Sequence, residues 1–160
     1  MEQNDVMASE PMMVRPTTAY ADVMTYLHGI NISREDKLSV GRQLLFEAEN
    51  EYLAKALSRL DYLASLPYDW DGYGASPVSA KVIEKMKAVV ALSRDADWIG
   101  WTISPESNGA LCLQSKQKMS SISVGTDEFS YYSCIDDREY GENYVPFSPE
   151  NLLDTMRKIA

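Results

Sequence analysis

The stretch LPYDWDGYGASP, Leu66 to Pro77, brings three aromatics, two aspartates, two glycines and two prolines into twelve residues. Asp69, Asp71 and Gly74 fall at the first, third and sixth positions of an EF-hand count, the spacing with which a loop gathers carboxylates around calcium. The count then breaks. Tyr73 stands at the fifth position, Pro77 at the ninth, and Ala80 where a bidentate glutamate is needed. Two carboxylates alone are a poor site for a hard cation, so no metal is assigned. The same residues suit a rigid turn. Asp-Gly and the second glycine accept positive φ, the aspartates can accept hydrogen bonds from nearby backbone amides, and Trp70 brings a large apolar area for burial. Asp69, Trp70, Asp71, Gly72, Gly74 and Pro77 thus read as a structural corner between two helices, pinned by Trp70. Tyr68, Trp70 and Tyr73 cannot all be buried in so short a loop. Exposed aromatics on a rigid loop act as binding anchors, which makes these three the candidate binding residues.

Other chemistry is sparse. His28 is the only histidine, so a site built on several histidines is excluded. It stands just before Gly29 at a helix end and reads as a surface or capping histidine. Nothing in the sequence places Cys112, Cys134 or a serine beside it for nucleophilic catalysis. Asp136, Asp137, Glu139 and Glu142 sit in an acidic, turn-rich stretch, DDREYGEN, which reads as a solvated face. There is no P-loop, no GxGxxG and no HExxH. No catalytic residue and no cofactor is assigned.

The elements that position these residues follow from periodicity. Residues 1–16 read as a flexible arm ended by Pro16, with a single α+β domain over residues 17–160. Thr17 or Thr18 opens a short helix, with Ala19, Val23, Tyr26 and Leu27 on one stripe, and Gly29 ends it. Ser33 caps the longest helical pattern, and Glu35 and Asp36 favour its positive end. Leu38, Gly41, Leu45, Ala48 and Tyr52 recur at spacings of three and four, and Leu53, Ala56, Leu57, Leu60, Leu63 and Ala64 continue the stripe. Unbroken from Arg34 to Ser65, this helix would run about 48 Å. It must either bend near Asn50 or project and pack on a partner. Beyond the corner, Val82, Met86, Val89 and Val90 form the apolar face of a helix over residues 79–94.

From Trp98 the period becomes two. Ile99, Trp101 and Ile103 share one face; Leu111 and Leu113, Ile122 and Val124, then Phe129, Tyr131 and Ile135 follow, with polar residues between them. Asn108-Gly109 is a hairpin signal, and short sequential connections imply an antiparallel meander of four to five strands. The stretch YVPF reads as a short edge strand, because Pro146 cannot donate to a central ladder. Ser148 caps a closing helix with Pro149 in its first turn and Leu152, Leu153, Met156 and Ile159 on its buried stripe. Cys112 and Cys134 lie on strands two and four of such a meander, so they are not partners for a disulfide. The fold class is α+β, with N-terminal helices (one of them long), the meander and a C-terminal helix.

Composition sets the outer bounds. The chain has 160 residues and a net charge of −9, with 45% hydrophobic and 24% charged residues. That is a globular composition, large enough to fold without metal or disulfide. The fifteen Lys and Arg do not cluster, so no direct nucleic-acid binding is expected. The N-terminus has neither the basic start nor the apolar run of a signal peptide, and no segment approaches a membrane span. The expectation is a cytoplasmic protein with reduced thiols and no membrane contact.

The sequence LDYLASLPYDWDGYGASPVS, followed by a helix and then ISPESNGALCL, resembles a group of uncharacterised bacterial and phage-associated proteins. Their shared pattern is a leucine-rich helix, a WDGxGAxP-like corner, a helix, and a proline followed by an Asn/Asp-Gly hairpin. Here it is carried by Trp70, Asp71, Gly72, Gly74, Ala75 and Pro77, then Pro105, Asn108 and Gly109, within about residues 57–135. Members often have Asn where this chain has Asp69. Some look like accessory genes on mobile or defence-related elements, which implies an interaction or antitoxin-like role. The expectation is a non-enzymatic module that binds a protein, or its own copies through the long helix. The alternatives are an enzyme of unrecognised type using carboxylates near the corner, and a structural subunit of a larger assembly.

Overall fold

The computed structural model describes residues 25, 27–31, 33–115 and 117–160. They fall into two compact units that divide between Glu49 and Asn50. The arm over residues 1–16 lies outside the described residues. So does most of the short helix expected after it, of which Thr25, Leu27 and His28 are described and helical.

The first unit contains helix α1, Arg34–Glu49. Ser33 caps it, its Oγ accepting from the Asp36 amide at 3.1 Å. Gly41 is buried, whereas Leu38 is 54% exposed. The expected helical pattern stops at Asn50, whose φ of −128° and ψ of 57° are not helical.

The second unit runs from Asn50 to Ala160. Helix α2 is Glu51–Ala64, α3 is Ala80–Leu92 and α4 is Pro149–Ile159. A five-stranded antiparallel sheet lies between α3 and α4 in sequence: β1 Trp101–Pro105, β2 Leu111–Ser115, β3 Ser120–Val124, β4 Glu128–Ile135 and β5 Arg138–Pro146. The strands are ordered β1-β2-β3-β4-β5, so β1 and β5 are the edges. One face of the sheet and the three helices share a single core. Leu53, Leu60 and Leu63 of α2, Val82, Met86 and Val89 of α3, and Leu152, Met156 and Ile159 of α4 meet Leu111, Leu113, Ile122, Val124 and Phe129. This is the α+β architecture, with helices on one side of a meander. Ser148 Oγ accepts from the Asn151 amide at 3.0 Å and starts α4. No helix among the described residues is long and apolar enough to cross a membrane.

Two local expectations are corrected. Ile99 does not belong to the inward face of the first strand: Asp95–Trp98 forms a 3₁₀ turn, Gly100 takes φ of +80°, and Ile99 is 52% exposed. The acidic stretch after Ile135 is mostly strand. Only Asp136 and Asp137 make the turn, with φ of +50° and +59°, the backbone of a tight two-residue hairpin. Ile135 pairs with Arg138, and β5 continues through Glu139 and Glu142 to Pro146. Its pattern is hidden because an exposed edge strand needs no apolar alternation. Cys112 and Cys134 are free and lie on β2 and β4, separated by β3.

Candidate functional site

The corner between α2 and α3 is closed by its own side chains. Asp69 takes φ of +62°, and its Oδ1 accepts from the Gly74 amide at 2.7 Å. Asp71 Oδ1 accepts from the Tyr73 amide at 2.8 Å and the Ala75 amide at 3.1 Å. The Asp69 amide donates to the Ala75 carbonyl at 2.8 Å, completing a loop tied across its own neck. Gly72 and Gly74 both take left-handed backbone. Trp70 is half-buried, and its Nε1 donates to the Ser76 carbonyl at 3.1 Å. The residues the core encloses are Ala75 and Val78, 2% and 7% exposed. Tyr68 and Tyr73 are 69% and 94% exposed, and the Tyr68 hydroxyl lies 3.6 Å from where a Cβ on Gly74 would stand. The two carboxylates therefore serve the backbone of the turn, and the tyrosines are displayed from it.

The corner is also docked. Ser76 donates its amide to the Ser107 carbonyl and Ser79 to the Gly109 carbonyl, each at 2.9 Å. A Cβ on Gly109 would lie 2.9 Å from the Pro77 carbonyl oxygen, and Gly109 has φ of +87°. Glycine is needed there twice over, for the conformation and for the close approach. The Trp-Asp-Gly corner and the Asn-Gly hairpin, nearly forty residues apart in the chain, are thus joined. In the hairpin only Gly109 has positive φ, while the Asn108 side chain accepts from the Ala110 amide at 3.0 Å.

Two further ties show that α2 runs alongside β1 in the same direction. At the start of α2 the Asn50 side chain does not cap. Asp95 Oδ1 does so instead, accepting from the amides of Tyr52 at 2.7 Å and Leu53 at 2.9 Å. Midway, Arg59 Nε donates to the Ile103 carbonyl at 2.9 Å. Between these ties lies a cleft of about 410 Å³ lined by Tyr52, Lys55, Arg59, Trp98, Trp101 and Ile103, among others. The Trp101 indole N–H is the one buried side-chain polar atom among the described residues without a partner. Leaving such a donor unpaired costs about 1–3 kcal/mol. At the cleft rim Arg59 lies over the Tyr62 ring at 5.2 Å. Lys55 pairs with Glu51, whose carboxylate raises its pKa.

Nearby, Asp97 ties the 3₁₀ turn to α4. Its carboxylate receives Arg157 Nε at 3.1 Å and Arg157 Nη2 at 2.9 Å, together with the Arg94 amide at 2.8 Å. The side chain is 4% exposed. Arg157 above all, then Arg94, holds it well below the usual carboxylate range against the opposing effect of burial. Neither Asp95 nor Asp97 stood out in the sequence; only their two-residue spacing, shared with Asp69 and Asp71, marks them.

The other candidates are not gathered into a site. His28 is exposed and belongs to the first unit. Burial pushes the Cys112 thiol up, with Glu106 adding to the shift, which disfavours the thiolate. Asp136 and Asp137 are at a hairpin tip, while Glu139 and Glu142 are spread along β5 opposite Cys134 and Tyr131. Among the described residues no group of three or more His, Cys, Asp or Glu could hold a metal ion. In comparisons with known proteins, no family model matches the chain, and neither a curated protein nor a solved structure matches it.

Proposed function

We propose that the protein is a non-enzymatic interaction module that binds another protein through the corner, with Tyr73 and Tyr68 as anchors and Trp70 as their support. The observation that carries this reading is the pairing of exposure with rigidity. Tyr73 is 94% exposed, yet Asp71 accepts from its own amide. A tyrosine presented from a fixed backbone offers contact area at low ordering cost. The use of Asp69 and Asp71 in backbone hydrogen bonds favours binding over a carboxylate-based enzyme reading. An accessory or antitoxin-like role, implied by the WDGxGAxP-like resemblance, is consistent with such a module. A cytoplasmic setting belongs to the same proposal.

The test is affinity capture from source cells with the wild-type chain and a Tyr68→Ala/Tyr73→Ala variant. A specific partner should be lost with the variant while the thermal unfolding midpoint stays unchanged. Retention of the same partner by the variant removes the corner from the interface.

A further inference from the structure

The cleft between α2 and β1 is separate from the corner tyrosines. β1 is an edge strand, hydrogen-bonded only to β2 within the sheet. The Ile103 carbonyl faces away from β2, because Arg59 of α2 reaches it from outside the sheet. In an extended strand the N–H and C=O of one residue point to the same side, and alternate residues repeat that direction. Ile103 and Trp101 therefore present backbone donors and acceptors along the open edge. Arg59 is the blunting device at this edge, a charged group laid over one carbonyl.

We propose that this cleft binds an extended, carboxylate-bearing peptide segment of a partner protein, which pairs with β1 at Trp101 and Ile103 and places its carboxylate on Arg59. The open edge calls for an extended occupant, since only another strand satisfies groups at two-residue spacing. Arg59 selects the charge. Its Nε is engaged by the Ile103 carbonyl, and the guanidinium has no acidic side chain paired with it among the described residues. When an incoming amide takes the Ile103 carbonyl, Nε is released and joins a terminal nitrogen in a two-pronged grip on the carboxylate. Tyr52, Trp98 and Trp101 supply apolar walls for the alternate side chains. The Trp101 ring lines the cleft while its indole N–H is enclosed without a partner, so that signal reports on the wall when the peptide seats.

The experiment uses the full chain labelled with ¹⁵N. The probe is an end-blocked hexapeptide of alternating valine and glutamate, with a valine–lysine hexapeptide and free acetate as controls. The glutamate peptide should bind at submillimolar to millimolar concentration, shifting the Trp101 indole signal (assigned by its disappearance in Trp101→Phe) and the amides of Trp101 and Ile103. Arg59→Gln should weaken binding roughly tenfold, and Arg59→Lys less, because lysine keeps the charge but not the fork. Added salt should weaken binding in the wild type. Tyr68→Ala/Tyr73→Ala should bind the peptide unchanged, which separates this site from the corner. Equal binding of the lysine peptide, equal shifts from acetate alone, or no shift at Trp101 and Ile103 would each overturn the proposal. A folded spectrum of Arg59→Gln with undiminished affinity would overturn the role of Arg59.

Discussion

Two pairs of aspartates, each with one residue between them and a tryptophan close by, do opposite work in this molecule. Among the described residues, Asp69 and Asp71 accept hydrogen bonds from amides within their own loop. Asp95 and Asp97 reach across the chain, the first to the start of α2 and the second to Arg157 of α4. The local pair shapes a display loop whose tyrosines face solvent. The remote pair fastens two helices to the turn that leads into the sheet. Identical spacing thus carries no fixed meaning. What decides the role is which donors the fold brings to each carboxylate: loop amides alone at Asp69 and Asp71, distant amides at Asp95, and a distant guanidinium beside a local amide at Asp97.

Substitutions at the four positions can break this contrast. The largest effect belongs to Asp97→Ala, which removes a nearly enclosed carboxylate from two arginines and an amide. Because Arg157 is 39% and Arg94 74% exposed, solvent screens part of the gain. The expected loss is about 2–3 kcal/mol of unfolding free energy, read from urea denaturation. The same residue sets a pH dependence. Its pKa is depressed in the folded protein, so its contribution is fully present above the ordinary carboxylate value near pH 4 and declines as pH falls below it. Asp97→Asn should therefore flatten the acid limb of the stability curve, and an unchanged limb would mean the arginines do not act through this carboxylate.

Asp95→Ala comes next. Loss of an N-terminal cap costs about 1–2 kcal/mol, and Asp95→Asn should restore most of it. Hydrogen exchange at the amides of Tyr52 and Leu53 checks the location, since protection should fall there first. The smallest effects belong to the corner. Asp71→Ala should cost about 1 kcal/mol, because the exposed Tyr73 amide can turn to water and only the Ala75 amide, in an enclosed residue, is left without its acceptor. Asp69→Asn should lie within about 0.5 kcal/mol of wild type, since asparagine tolerates left-handed backbone and keeps an acceptor oxygen. If Asp71→Ala proved more damaging than Asp97→Ala, the ranking of local below remote would be reversed.

The sequence was most legible where the physics is local. Ser33 and Ser148 announce their helices because caps act within three residues. Leu111, Leu113, Ile122, Val124 and Phe129 announce their strands because a half-buried sheet alternates. The Asn108-Gly109 turn and the glycines of the corner follow from backbone conformation. Legibility was partial at β5, whose end at YVPF reads as an edge strand while its exposed start over residues 138–143 leaves no apolar period, and it failed at Ile99, where a 3₁₀ turn ending at Trp98 shifts the strand start. It failed completely at Asp95, Asp97 and Arg59. The partners that matter to the fold are amides, a guanidinium group and a carbonyl more than forty residues away, with only Arg94 close to Asp97 in the chain, and no local pattern encodes such a meeting. The cleft was invisible for the same reason, since it exists only once α2 lies along β1.

The remote cap has a consequence for how the chain is made. During synthesis α2 leaves the ribosome complete in its apolar stripe but without the carboxylate that closes its first turn, because Asp95 follows Tyr52 by 43 residues. The nascent helix must wait, frayed at its beginning, until α3 and the 3₁₀ turn have also emerged. A product truncated before Asp95 would carry a sticky leucine face on an unfinished helix, which makes it a natural substrate for a chaperone or a protease.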